Sequence, residues 1–376
     1  MRLTARQLNR ATLGRQLLLH REPIAVAEGV RRVGAIQAQE PASPYLALWN
    51  RLAGFDPAHL DAAFADRSVV KASLVRLTLH AVHADDYPAF HDAMVSSLRA
   101  SRLQDRRYTT SGLSTADADA LLTDLLEFAS QPRSKAEIES LLAARLGEHN
   151  PRAWWALRSF APLHHAPTGG PWSFGVKASF VAARTTPGRQ VVDLSVQHLV
   201  RRYLEAFGPA SAQDFGQFTI LRRPVTVQAL TALGDRVEEL EGPNGTKLFD
   251  VPGGLLPAED TVAPPRLLPM WDSILLAYAD RSRVIPPDYR RLVIRQNGDV
   301  LPTLLVDGYV AGVWRPVDGG IEATAFHRLT DEAWAGLAEE AVALVAFLAE
   351  RDPAVYRRYG HWWASLPTAE VRVLRG

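Results

Sequence analysis

The chain has 376 residues and no cysteine, so disulfides, thiolate zinc sites and cysteine nucleophiles are excluded. Apolar residues make up 47% and charged residues 22%, the balance of a soluble globular protein built as one large fold or as two to four modules. A net charge of +1 excludes a whole-protein field that draws nucleic acid, and no apolar run nears the roughly 20 residues of a membrane span.

The first stretch, "MRLTARQLNRATLGRQLLL", places Arg and Gln inside its apolar pattern and reads as an amphipathic helix over 4–20, not a signal peptide. A cytoplasmic protein without a membrane partner is therefore expected. Only Lys71, Lys135, Lys177 and Lys247 are lysine. The arginine excess fits either a GC-rich genome or bidentate phosphate contacts.

Thr4 is a plausible cap for that first helix, and Pro23 suits the first turn of a second one carrying Val26, Val30 and Val33. A helix over 57–66 follows, then strands in "SVVKASLVRLTLHAVH". The order recurs as helices 114–130, 134–146 and 150–163 with a Gly-Gly-Pro loop tip after them. Ser134 and Glu137 form a capping box there. A third pass has helices over 193–208, 211–219 and 226–233, then a hairpin signalled by Asn244-Gly245. Three helices and a wing thus occur three times, a repeat of architecture without a repeat of sequence.

Residues 253–269 are proline-rich and read as a linker. Strands follow, with turns expected at Asn297-Gly298 and Asp307-Gly308, then a helix over 331–350 and a last strand in "TAEVRVLRG". The expected class is α+β, mostly helical. It comprises three tandem winged helix-turn-helix modules (1–112, 113–190, 191–252) and a C-terminal β-rich, barrel-like part (253–376) with a linker and a long helix.

"GAIQAQEPASP" carries two amides, Gln37 and Gln39, one residue apart. Pro41 and Pro44 disfavour the α region for the residues before them, so the preceding helix should end near Gln37–Gln39. If the chain then extends, residues two apart share a face and both amides can meet one ligand. Neutral amides donate and accept hydrogen bonds but are poor bases, so such a pair suits a reaction whose leaving group is already activated. The bland alternative is that they satisfy loop backbone.

The segments "RLTLHAV" (76–82), "LLPMWDSILLAYADRSRVIP" (267–286) and "LPTLLVDGYVAGVWR" (301–315), with Gln37-Ala38-Gln39, occur in the order found in one family. On these blocks the chain resembles the winged-helix DNA glycosylases of the AlkZ/YcaQ family, with Trp271-Asp272 where the family usually has Phe-Asp. The resemblance implies a monofunctional DNA glycosylase that hydrolyses the N-glycosidic bond of N7-alkylated purines. For one branch it implies unhooking of azinomycin-type interstrand crosslinks, and so antibiotic self-resistance through DNA repair.

The same resemblance points to Gln37 and Gln39 as catalytic, positioning water and sugar, and places His80 and Arg76 near DNA. Arg31, Arg32, Arg222, Arg223 and Asn297 are further candidates for DNA contact; the pairs Arg106-Arg107, Arg201-Arg202 and Arg290-Arg291 are phosphate-contact candidates too, and most of the five arginine pairs read as solvated faces. An open site rather than a snug base pocket is expected, because a crosslinked base stays tied to both strands. No metal or other cofactor is expected, and the partner is double-stranded DNA bound by a monomer. The competing reading is a non-catalytic winged-helix DNA-binding protein or transcription regulator, with a protein-docking scaffold behind it.

Overall fold

The computed structural model describes residues 2–184 and 192–376; the expected boundary at 190/191 lies outside them. Helix α1 (Ala5–Arg15) starts on a reciprocal Thr4–Gln7 capping box and is shorter than expected, because the chain turns left-handed at Leu17. Helix α2 (Val26–Val33) begins three residues past Pro23. It ends at Gly34, whose φ of 83° only glycine adopts freely, so the helix stops before the glutamines and frees β1 (Ile36–Gln37).

Pro44 lies in the first turn of α3 (Ser43–Trp49), a helix the sequence reading lacks. Proline there loses no intrahelical hydrogen bond, so it opens a helix where a break was expected. Helix α4 (Pro57–Asp66) is capped by Asp56. Strands β2 (Val69–Ser73) and β3 (Leu79–His83) follow, then α5 (Tyr87–Leu103), also unforeseen, and α6 (Arg106–Thr109).

The next stretch holds α7 (Thr115–Phe128), β4 (Arg133–Ser134), α8 (Lys135–Leu146), α9 (Pro151–Phe160), β5 (Leu163–Ala166) and β6 (Ser179–Ala182). Ser114, Ser134 and Asn150 cap its three helices with their side chains. Then come α10 (Val192–Phe207), α11 (Ala212–Thr219), α12 (Arg223–Leu233), β7 (Glu238–Glu241) and β8 (Lys247–Asp250). Asn244 and Gly245 both take positive φ between these last strands, in a loop longer than two residues.

One pairing recurs. A short extended piece after the first helix of each set pairs with the second strand of that set's hairpin: β1 with β3, β4 with β6, and Ala210 with Phe249. The first two sets merge through Lys71 opposite His165 into one antiparallel sheet, ordered β1-β3-β2-β5-β6-β4. Helix α1 stands apart from the first set. Its Arg15 forks onto Asp250 (2.6 and 2.7 Å) and its Gln16 bonds the carbonyl of Ala206, tying the N-terminus to the third set.

The C-terminal part contains β9 (Arg266–Leu268), α13 (Arg290–Val293), β10 (Thr303–Val306), β11 (Tyr309–Val317), β12 (Gly320–Ala325), α14 (Asp331–Ala349) and β13 (Glu370–Arg375). The barrel-like expectation is corrected: the sheet is open, ordered β13-β12-β11-β10-β9, and its two end strands do not pair. Helix α14 buries Trp334, Leu337, Ala341, Leu344 and Leu348, so the sheet's apolar face is covered by a helix and need not close on itself. Asp307-Gly308 makes the expected two-residue turn, with φ of 47° and 81°. Asn297-Gly298 does not join two strands; a helical turn precedes it and only Ile294 and Val300 bridge.

Candidate active site

Strand β1 lies at the end of the six-stranded sheet, with Gln37 directly opposite His80. Between β2 and β3 the chain reverses through Arg76 and Leu77, which take left-handed φ of 54° and 60°. Two such non-glycine residues in a row store strain of about 1–3 kcal/mol each, a mark of functional turns.

The turn aims Arg76 inward. Its Nη1 donates to the carbonyl of Phe218 (2.9 Å) and its Nη2 to Oε1 of Gln37 (3.1 Å), while the guanidinium sits 5.2 Å from the Phe218 ring centre. Burial, then neighbouring Arg281, lowers its pKa to about 10, so it stays charged at neutral pH. Arg76 therefore holds Gln37, with both terminal nitrogens engaged inside the protein.

Gln37 is 3% exposed and Gln39 is exposed. The ladder continues through the Ala38 N–H to the carbonyl of Leu79 (2.8 Å), and the Oε1 of Gln39 accepts from the Leu79 N–H (3.3 Å). Both glutamine oxygens thus face obligate donors, which settles the orientation of each amide. Among the described residues no protein acceptor pairs with either NH2 and no hydrogen bond joins the two amides. Each has a spare donor, suited to a water, sugar or phosphate oxygen and unsuited to taking a proton. They differ in grip: Gln37 is clamped by a charged guanidinium, Gln39 by one long bond at the surface.

His80 is fully enclosed and presents no ring atom to a ligand in this fold. Its Nδ1 is 3.1 Å from the Thr78 carbonyl, and burial, then Arg76, lowers its pKa to about 3. The ring is neutral at pH 7, so Nδ1–H donates to Thr78 and Nε2 is a bare, unpartnered acceptor.

His164 and His165, on β5, are likewise lowered to about 3 by burial. Unfolded histidines bind protons from pH 6.5 downward, whereas these bind none until about pH 3. Stability is therefore complete above pH 6.5 and falls with pH, by up to about 1.4 kcal/mol per pH unit for each ring. Chemical denaturation at pH 7, 6, 5 and 4 should show this decline; a level profile would refute it. No group of histidine and carboxylate side chains suited to a metal occurs among the described residues.

Arg31 and Arg32 are exposed in the last turn of α2, where the Arg202 guanidinium caps the Arg31 carbonyl. Arg222 and Arg223 are exposed at the start of α12, where cations oppose the helix dipole and gain nothing locally. Asn297 is exposed on a turn braced by Trp271 Nε1 to the Gly298 carbonyl (3.0 Å) and Trp362 Nε1 to Asp299 (2.9 Å). "HWW" (361–363) thus packs that turn. Asp272 pairs with Arg51. Sequence reasoning missed Arg102 and Arg158, which line a cavity with Gln39. It looked for adjacent arginines, and these two lie on different helices.

Residues 30–347 match the model of the AlkZ-like DNA glycosylases. The chain belongs to this DNA glycosylase family. An "Interstrand DNA cross-link repair glycosylase" of Streptomyces sahachiroi is 26% identical over 346 residues, 87% of this chain and 91% of the relative. The solved structure titled Streptomyces sahachiroi DNA glycosylase AlkZ superposes with a TM-score of 0.78 over 92% of this chain and 96% of its own, at 23% identity. That likeness shows a shared AlkZ fold, and membership of the family makes the chain a DNA glycosylase.

Proposed function

We propose that this glycosylase is monofunctional, hydrolyses the N-glycosidic bond of N7-alkylated purines in double-stranded DNA, and unhooks interstrand crosslinks. The observation that carries the reading is the pair Gln37 and Gln39, oxygens held inward and amide NH2 groups unclaimed. An alkyl group on N7 makes the purine cationic, so the base departs neutral and needs no proton from the protein. What remains is to hold water against C1′ and steady an oxocarbenium-like sugar. Neutral dipoles fixed in place serve both tasks.

In this mechanism Gln39, exposed and lightly tethered, meets the water or the sugar. Gln37, clamped by Arg76, fixes the second contact. The three helix-and-hairpin sets act as winged helices along the duplex, with Arg31, Arg32, Arg222 and Arg223 on phosphates and the Asn297 turn beside a groove. His80 positions the β1–β3 pair instead of touching DNA. The protein acts as a monomer without metal or cofactor, and in a crosslinker-producing cell it confers self-resistance. The name of the Streptomyces sahachiroi relative supports the crosslink reading.

The test is incubation with duplex DNA carrying N7-methylguanine, or with a crosslinked duplex. Released base with heat-labile abasic sites, and separated strands from the crosslink, are expected. Binding without release would instead identify a non-catalytic DNA binder.

A further inference from the structure

Gln39 shares a cavity of about 140 Å³ with Ser73, Arg102, Arg158, Ser159 and His165, and no carboxylate lines it. We propose that Arg102 and Arg158 form a phosphodiester seat that holds a backbone phosphate beside the sugar served by Gln39. The proposal rests on the glycosylase reading above and adds the subsite that sets the sugar's position.

Neither arginine has an ionic partner among the described residues. Arg102, half-buried on α5, donates Nε to the Ser159 hydroxyl (2.9 Å) and lies 4.7 Å from the Trp155 ring centre; its two terminal nitrogens have no protein acceptor. Arg158, on α9, is exposed and uses only its carbonyl, accepting weakly from Ser73 Oγ (3.4 Å). Arg107 packs on the same Trp155 ring, 4.5 Å away, with its own charge taken by the two Asp105 carboxylate oxygens (2.9 and 2.8 Å). Bringing like charges together costs energy unless an anion joins them. Burial first, and after it Arg107 and Arg158, lowers the Arg102 pKa, with Asp105 opposing the shift.

His165 is held neutral by burial, then by Lys71 and Arg158, so it brings no charge of its own; Lys71, its cross-strand partner, is buried without a carboxylate and adds to the positive field. The two guanidinium groups and the serine hydroxyls that line the cavity match the oxygens of a phosphate. The cavity is well below the roughly 300 Å³ at which small-molecule pockets begin, so it takes a group and not a whole nucleotide. Its wall comes from α5, α9 and the β2–β3 hairpin, so a phosphate seated there is placed rigidly against Gln39.

Arg158→Gln and Arg102→Gln test the seat, each checked for folding by thermal melting. On undamaged duplex, the slope of log affinity against log salt should become shallower by about one for each lost phosphate contact. In base release, KM should rise about tenfold while kcat changes less than about threefold, the pattern of lost ground-state positioning. Arg158→Lys, which keeps the charge, should restore the salt slope. Folded variants with unchanged slope and unchanged KM would overturn the proposal. If Arg102→Gln fails to fold, the exposed Arg158 decides alone. Should the wild-type protein release no base while the salt slope still shifts, the seat stands and the glycosylase mechanism falls.

Discussion

Gln39→Ala is expected to lower N7-methylguanine release at least about a hundredfold, the scale of removing one preorganised polar group from a reaction centre. The same variant should melt with the wild type. Gln39 is exposed and its one recorded bond, to the Leu79 N–H, is long, so water replaces it at the cost of about 0.5 kcal/mol or less. Gln37→Ala should lose release to a similar degree but also lose stability. It strips the charged Arg76 of one of its two hydrogen-bond partners inside the fold, worth about 1–3 kcal/mol. Binding to undamaged duplex should persist in both. Two variants equal in stability would show that Arg76 does not clamp Gln37. Unchanged release in both would remove the glutamines from the mechanism.

The largest stability effect should come from the ion pair of Arg51 and Asp272. The two guanidinium nitrogens meet the two carboxylate oxygens at 2.8 Å each, with side chains 2% and 0% exposed. Arg51 also donates to the Ala47 carbonyl, and Asp272 accepts from the Ile274 N–H. Removing one partner abandons a buried charge, so Arg51→Met or Asp272→Leu should each cost about 3–5 kcal/mol. Arg51→Met with Asp272→Leu should cost much less than the singles summed, because two like-shaped apolar groups need no solvation. Equilibrium denaturation of the four proteins measures the coupling; strict additivity would show that the pair is not a unit. The pair ties the end of α3 to the C-terminal part, so its loss should also loosen the approach to the glutamines.

Much of this chain could be read before folding was considered. Thr4 and Ser134 were legible as caps because capping is decided within four residues. Asp307-Gly308 was legible because a two-residue turn needs two left-handed positions in sequence. The reading failed where tertiary packing outweighed a local signal. Pro44 was taken as a stop and opens α3; Asn297-Gly298 was taken as a turn between strands and lies in a loop where only Ile294 and Val300 bridge. A barrel was expected because alternating strands do not reveal whether α14 or the sheet itself will cover the apolar face.

The site divides in the same way. By itself the sequence determined that Gln37 and Gln39 sit just past a helix, that no thiol chemistry is available, and which family the chain resembles, since all three depend on residues close together or on ordered motifs. Only the tertiary structure decided that Arg76 points inward to hold Gln37, that His80 is sealed, and that Arg102 and Arg158 converge on Gln39. Those are meetings between side chains on separate elements. The direction of a side chain is set by what packs against it, and no local rule of spacing carries that information.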